Sequence, residues 1–225
     1  DSNTPISVKK TLVQVIGRMN DSSAIPVLES KRKSGDAGLT MEINIALYQL
    51  GKKDYRSEII AGLSDRDISA RRAAAKAMSI INDSPVEEIV RALKDADGQV
   101  CMYAAQALEK FPTKQAIDPL IEILRTGSNE NAKQCAMQAL IAYGQQDFGG
   151  NLAARLIKEL PHVNEPNDRL RMVQILKTPA YKKQIEDAPK EDNLIYDLWN
   201  YADKEEKNAM VKGELDRVLV ELPEN

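Results

Sequence analysis

Histidine occurs once in the 225 residues, at His162, and cysteine twice, at Cys101 and Cys135. A lone histidine excludes histidine-rich metal sites and leaves a Ser-His-Asp or Cys-His device with one candidate base. Two cysteines cannot build a disulfide framework. Aromatic residues make up only 4% of the chain, too few for a sheet, whereas abundant alanine suits closely packed helices. No apolar run approaches the roughly 18 residues of a membrane span. Neither sign of charge dominates, since 31 Lys and Arg against 34 Asp and Glu leave a net charge of -3. That balance argues against broad binding to phosphate backbones. Glycine-rich phosphate loops are missing too, because Gly35-Asp36-Ala37-Gly38 and Gly149-Gly150 lack the glycine spacing and the Lys-Ser/Thr ending.

What the chain does contain is a repeat. A block of the form Ala-Leu-x-x-apolar, closed by a helix-stopping residue, occurs five times: Leu12-Val13 to Gly17, Ala46-Leu47 to Gly51, Ala77-Met78 to Asn82, Ala107-Leu108 to Pro112 and Ala139-Leu140 to Gly144. The second positions step by 34, 31, 30 and 32 residues, a solenoid period. Eight residues before each second position stand Leu39, Ala70, Val100 and Ala132; four before stand Ile43, Ala74, Ala104 and Ala136. Together these columns define one face of an α-helix, here called helix A. A second apolar pattern, helix B, follows each polar break, as in Ile89, Val90 and Leu93 or Leu120, Ile121 and Leu124. Ser84-Pro85-Val86-Glu87 reads as a capping box with proline in the first turn, and Asp118-Pro119 as the start of the next B helix. The expected fold is all-α, an α-solenoid of antiparallel helix pairs in a right-handed superhelix.

The stretch Ser64-Asp65-Arg66-Asp67-Ile68-Ser69-Ala70-Arg71-Arg72-Ala73-Ala74-Ala75-Lys76-Ala77-Met78, with Val86 to Leu93 after the break, resembles the HEAT repeat family. The likeness is to its short variety, also found in phycobilisome lyase-like proteins, and covers about residues 5–160. Tetratricopeptide and ankyrin signatures are absent. The resemblance implies an Asp–Arg hydrogen-bond ladder along helix A, but the arginine column reads Thr40, Arg71, Cys101 and Lys133, so the ladder is expected to be interrupted. It also implies that B helices line the concave side. The polar B positions there are Glu87, Arg91 and Lys94; Asp118, Glu122 and Arg125; Arg155 and Lys158. These eight residues are the candidate partner-binding surface.

Two prolines, Pro161 and Pro166, end the fifth unit, giving repeats over 5–167 and a second region, 168–225. The latter reads as a degenerate sixth unit followed by a helical C-terminal cap, in which Asp203 and Glu206 would cap the last helix, Pro223 would close it and Trp199 would be packed. From residue 185 onward the charge is -7, leaving +4 for residues 1–184, which suits a solvated cap or docking of a basic partner. The chain begins without methionine, so loss of a signal peptide or origin in a longer protein are both open, as are cytoplasmic and exported locations.

His162, near Glu165 and Asp168, reads as a solvated loop histidine. Cys101 and Cys135 sit two helical positions apart in their columns, about 200° around the axis, and read as separate, partly buried thiols. Basic clusters at Lys9-Lys10, Lys31-Arg32-Lys33 and Lys52-Lys53 lack interleaved aromatics, so no nucleic acid is expected. The resulting reading is a non-enzymatic, bacterial scaffold binding a protein or peptide, with no cofactor, no metal and no membrane span. An accessory domain of a larger exported enzyme and a bilin lyase-like enzyme are the alternatives.

Overall fold

The computed structural model describes residues 3–33, 35–81 and 85–222. Among them are fourteen α-helices and no strand, in two compact units, Asp1–Phe111 and Pro112–Asn225.

The first unit contains α1 (Ile6–Met19), α2 (Ile25–Lys31), α3 (Ala37–Gln49), α4 (Arg56–Ala61), α5 (Ile68–Ala77), α6 (Val86–Ala92) and α7 (Gly98–Lys110). The A helices α1, α3, α5 and α7 pack each on the next, with α2, α4 and α6 returning beside them. The repeat columns explain this stacking. Leu39, Ala70 and Val100 are buried, as are Ile43, Ala74 and Ala104, and Ala46, Ala77 and Ala107. Alanine at two of the three columns brings neighbouring helix surfaces together, and Leu47, Met78 and Leu108 fill the space between units. Gly51, with φ +100°, ends its block in a left-handed turn as expected. Gly17 does not stop α1, which continues to Met19. It lies inside the helix, where a Cβ would stand 2.9 Å from Ala46 Cα, so glycine serves the close approach of α1 to α3.

Helix α1 starts after Pro5 with no side-chain cap, whereas α3, α5 and α7 each start on one three residues before the first buried column. Asp36, Asp67 and Asp97 accept hydrogen bonds from the N–H groups of Leu39, Ala70 and Val100 at 2.6, 2.9 and 3.2 Å. The residue four after the cap reaches back to carbonyls of the preceding loop. Thr40 donates to Arg32 O (2.9 Å), Arg71 to Asp65 O (2.8 Å) and the Cys101 thiol to Asp95 O (3.0 Å). Arg71 also grips Asp95 at the start of the next repeat (2.8 and 3.3 Å), and Arg72 grips Asp97 (2.9 and 2.5 Å). The ladder is therefore present at Arg71, and the backward half of its bonding survives at Thr40 and Cys101 because a hydroxyl or thiol supplies one donor. For α6, Pro85 takes the N-cap position; the proposed cap Ser84 and the block-ending Asn82 lie outside the described residues, as does Pro223.

The second unit holds α8 (Ile117–Thr126), α9 (Glu130–Tyr143), α10 (Leu152–Glu159), α11 (Pro166–Leu176), α12 (Pro179–Glu186), α13 (Leu194–Asn200) and α14 (Ala209–Val220). Helix α8 begins two residues before Pro119, which falls in its first turn, where the missing N–H would be unpaired anyway. Helices α9, α11 and α14 stack in sequence, so the last helix takes an A position. Its cap is Asn208, which accepts from Met210 N (3.1 Å) and Val211 N (3.2 Å), rather than the expected Asp203 and Glu206. Glu206 has another task. Its side chain is fully buried, and it accepts from Arg169 (2.7 and 3.1 Å), the Tyr201 hydroxyl (2.8 Å) and Asn208 N (2.7 Å). Arg169 reaches back to Val163 O and Asn164 O, as Arg71 does to its own loop. In this same unit Lys133, also buried, donates to Asp168 (2.6 Å). Trp199 does not pack inside; it is 46% exposed, because α13 buries Leu194 and Leu198 and turns its other side to solvent.

Two outcomes follow. Leu108 is fully buried, so Leu108→Ala should cost about 2–5 kcal/mol in denaturant unfolding, and faster hydrogen exchange should reach α5 as well as α7; exchange altered in α7 alone would contradict the stacking. Burial alone would raise the Glu206 pKa, but Arg169, Asn208 N–H and Tyr201 hold it below the ordinary range. A depressed folded-state value means that its contribution is complete above the unfolded pKa of about 4.3 and is lost as pH falls through the folded value. Glu206→Gln should therefore flatten the acid limb of the stability–pH curve, and an unchanged limb would show the carboxylate to be energetically idle.

Candidate functional site

On α8 the buried residues Ile117, Leu120, Ile121 and Leu124 leave Asp118, Glu122 and Arg125 facing outward at helical spacing. On α10, Leu152, Ala153, Leu156 and Ile157 are buried, which turns Arg155, Lys158 and Glu159 to the same side. These side chains line one open groove of about 390 Å³ with Ile121 at its floor. Five of the eight predicted residues thus come together: Asp118, Glu122, Arg125, Arg155 and Lys158. Glu159 and Ile121 are the members that sequence reasoning missed; their i+4 and i+3 spacing from Arg155 and Asp118 was the available signal.

The groove is a charge lattice rather than a field of one sign. Arg125 pairs with Glu122 at 2.6 Å within α8, and this guanidinium holds the Glu122 carboxyl below its ordinary range. Arg155 on α10 pairs with Asp118 on α8, tying the two walls together. Among the described residues neither Lys158 nor Glu159 forms an ion pair. The other three predicted residues, Glu87, Arg91 and Lys94, are exposed on and just after α6 in the first unit, where Arg91 pairs with Glu88 at 3.1 Å.

His162 is exposed at the end of a short 3₁₀ turn, Leu160–His162. Asp168, which its sequence position places beside that histidine, is instead buried against Lys133 and Arg171. Cys101 is buried, and burial pushes its thiol pKa upward. Among the described residues no cluster of His, Cys, Asp and Glu could hold a metal ion, and no helix is long and apolar enough to cross a membrane.

A second cavity, of about 300 Å³, lies on the A-helix layer of the first unit, where Ala46, Ala73 and Ala77 leave space below Gln14, Arg18, Glu42 and Lys76. Gln14 donates to Glu42 at 2.7 Å, and burial raises the Glu42 pKa. Two of these alanines, Ala46 and Ala77, are also repeat anchors.

Residues 56–141, from α4 into α9, match the family model described as HEAT repeats. A crystal structure of an engineered protein is similar with a TM-score of 0.47 at 18% identity, covering 87% of this chain and 95% of that one. No curated protein matches the sequence.

Because Asp118 is largely exposed, Asp118→Asn should change stability by no more than about 1 kcal/mol. A loss beyond 2 kcal/mol on denaturant titration would mean that the Arg155 pair is structural instead.

Proposed function

We propose that this chain is a non-enzymatic binding scaffold that holds a protein or peptide segment on its B-helix face. The supporting observation is the groove lined by α8 and α10, where acidic and basic side chains stand beside the apolar Ile121 and the Arg155–Asp118 pair bridges the two helices. Alternating charge selects register in a partner that itself carries both signs, and the low cost of opening exposed pairs lets the partner exchange with them. The catalytic alternatives gain nothing from His162 or Asp168, which are placed apart in role: one exposed, the other committed to Lys133.

The test uses peptides selected from a random display library on the wild-type chain. Arg125→Glu combined with Arg155→Glu should weaken their binding at least tenfold with a melting temperature changed by only a few degrees. Gln134→Glu with Gln138→Glu, on the exposed side of α9, should leave binding intact. Equal loss from both variants, or no loss from either, would move the site away from the groove.

A further inference from the structure

We propose that the exposed Tyr196–Trp199 pair on α13 is a second docking surface, for a basic, arginine-bearing peptide segment. The two residues are three apart on the helix and therefore share a face. Their rings are tilted by 32° with centroids 6.2 Å apart, and 52% of Tyr196 and 46% of Trp199 are exposed. Large aromatic side chains left in water as a pair contrast with the rest of the second unit, where Tyr143, Tyr181 and Tyr201 are buried.

Charge decides what such a surface takes. Residues 186–205 hold seven carboxylates and two lysines. Among the described residues only one of the seven, Asp203, forms an ion pair, with Lys212 at 3.7 Å. The remaining acids, including Asp197 on α13 itself and Glu205 just beyond it, form no ion pair among the described residues, and with the two lysines counted they leave the stretch that carries the aromatic pair at -5. An acidic or neutral apolar partner would meet repulsion or leave that charge uncompensated, whereas a cation gains from both the carboxylates and the ring faces. The Trp199 ring already accepts a cation from within the chain, since Lys204 Nζ lies 5.9 Å from its centroid. Arginine fits better than lysine here, because a planar guanidinium stacks on a ring while its N–H groups reach carboxylates at the edge. The surface lies on α13, apart from the α8–α10 groove in sequence and chemistry, and it stands whether or not that groove binds a partner.

Trp199 is the chain's single tryptophan, so its fluorescence reports this surface alone. The probe is a fluorescein-labelled Gly-Arg-Gly-Arg-Gly-Arg peptide, with its Glu counterpart as control. The arginine peptide should shift Trp199 emission saturably in its unlabelled form and bind by anisotropy; the glutamate peptide should do neither. Trp199→Leu and Tyr196→Leu, which keep charge and change only exposed rings, should each weaken anisotropy-measured binding about 3- to 30-fold, while Arg125→Glu with Arg155→Glu should leave it unchanged. Binding of equal strength in the ring variants would show charge attraction alone and overturn the proposal, as would absence of any response to the arginine peptide at millimolar concentration.

Discussion

Contact between successive A helices through alanine is the constraint on which the other features rest. A side chain of one carbon at Ala46, Ala77 and Ala107, and again at Ala74 and Ala104, sets how near the next helix can come. The larger Leu47, Met78 and Leu108 then have a fixed gap to fill. Because that spacing repeats, the loop before each A helix also returns at a fixed height, and its polar groups come within reach of the helix behind. Packing thereby creates the geometry in which a ladder of side-chain bonds can form, and a solenoid can be built from short units that could not bury their apolar faces alone.

The ladder tolerates substitution because its two halves are separable. Backward bonds to loop carbonyls need one donor, which Thr40, Cys101 and the arginines all possess. Forward bonds to the next unit's acid need length and charge, which only the long cations supply, as Arg71 does to Asp95, Lys133 to Asp168 and Arg169 to Glu206. The acid also accepts the N–H of the following cap in the Arg71 and Arg169 cases, from Asp97 and Asn208. One carboxylate thus orients the next helix start and receives the previous helix's cation. Burial of such pairs carries a desolvation cost, so their clearest effect is on register.

Much of this architecture was legible in the sequence. The buried columns of α3, α5, α7 and α9 are those that periodicity picks out, because one face of a helix must be apolar to stack. The ladder is interrupted at Thr40 and Cys101, as their side chains predict, since neither has the length and charge for a forward bond; what one column could not show is that a single donor keeps the backward bond there and that Lys133 makes the forward bond in place of arginine. Glu206 shows the same difficulty. Locally it reads as a helix-capping residue, and only Arg169, 37 residues earlier in the chain, makes it a buried acceptor. For the candidate site, helical spacing on α8 and α10 identified the outward residues. It could not show that Asp118 bridges to Arg155, nor that Trp199 stays outside, since both depend on the pairing of helices rather than on any one of them.

Whether the forward bonds couple neighbouring repeats is best settled by a double-mutant cycle at Arg71 and Asp95, with leucine or methionine at each position alone and together. The structure requires a favourable coupling of about 1 kcal/mol or more between the two sites, so that the double variant loses less than the single variants would suggest in sum. Additive losses, with no coupling, would mean that alanine packing alone holds the repeats in register and that the ladder only decorates it.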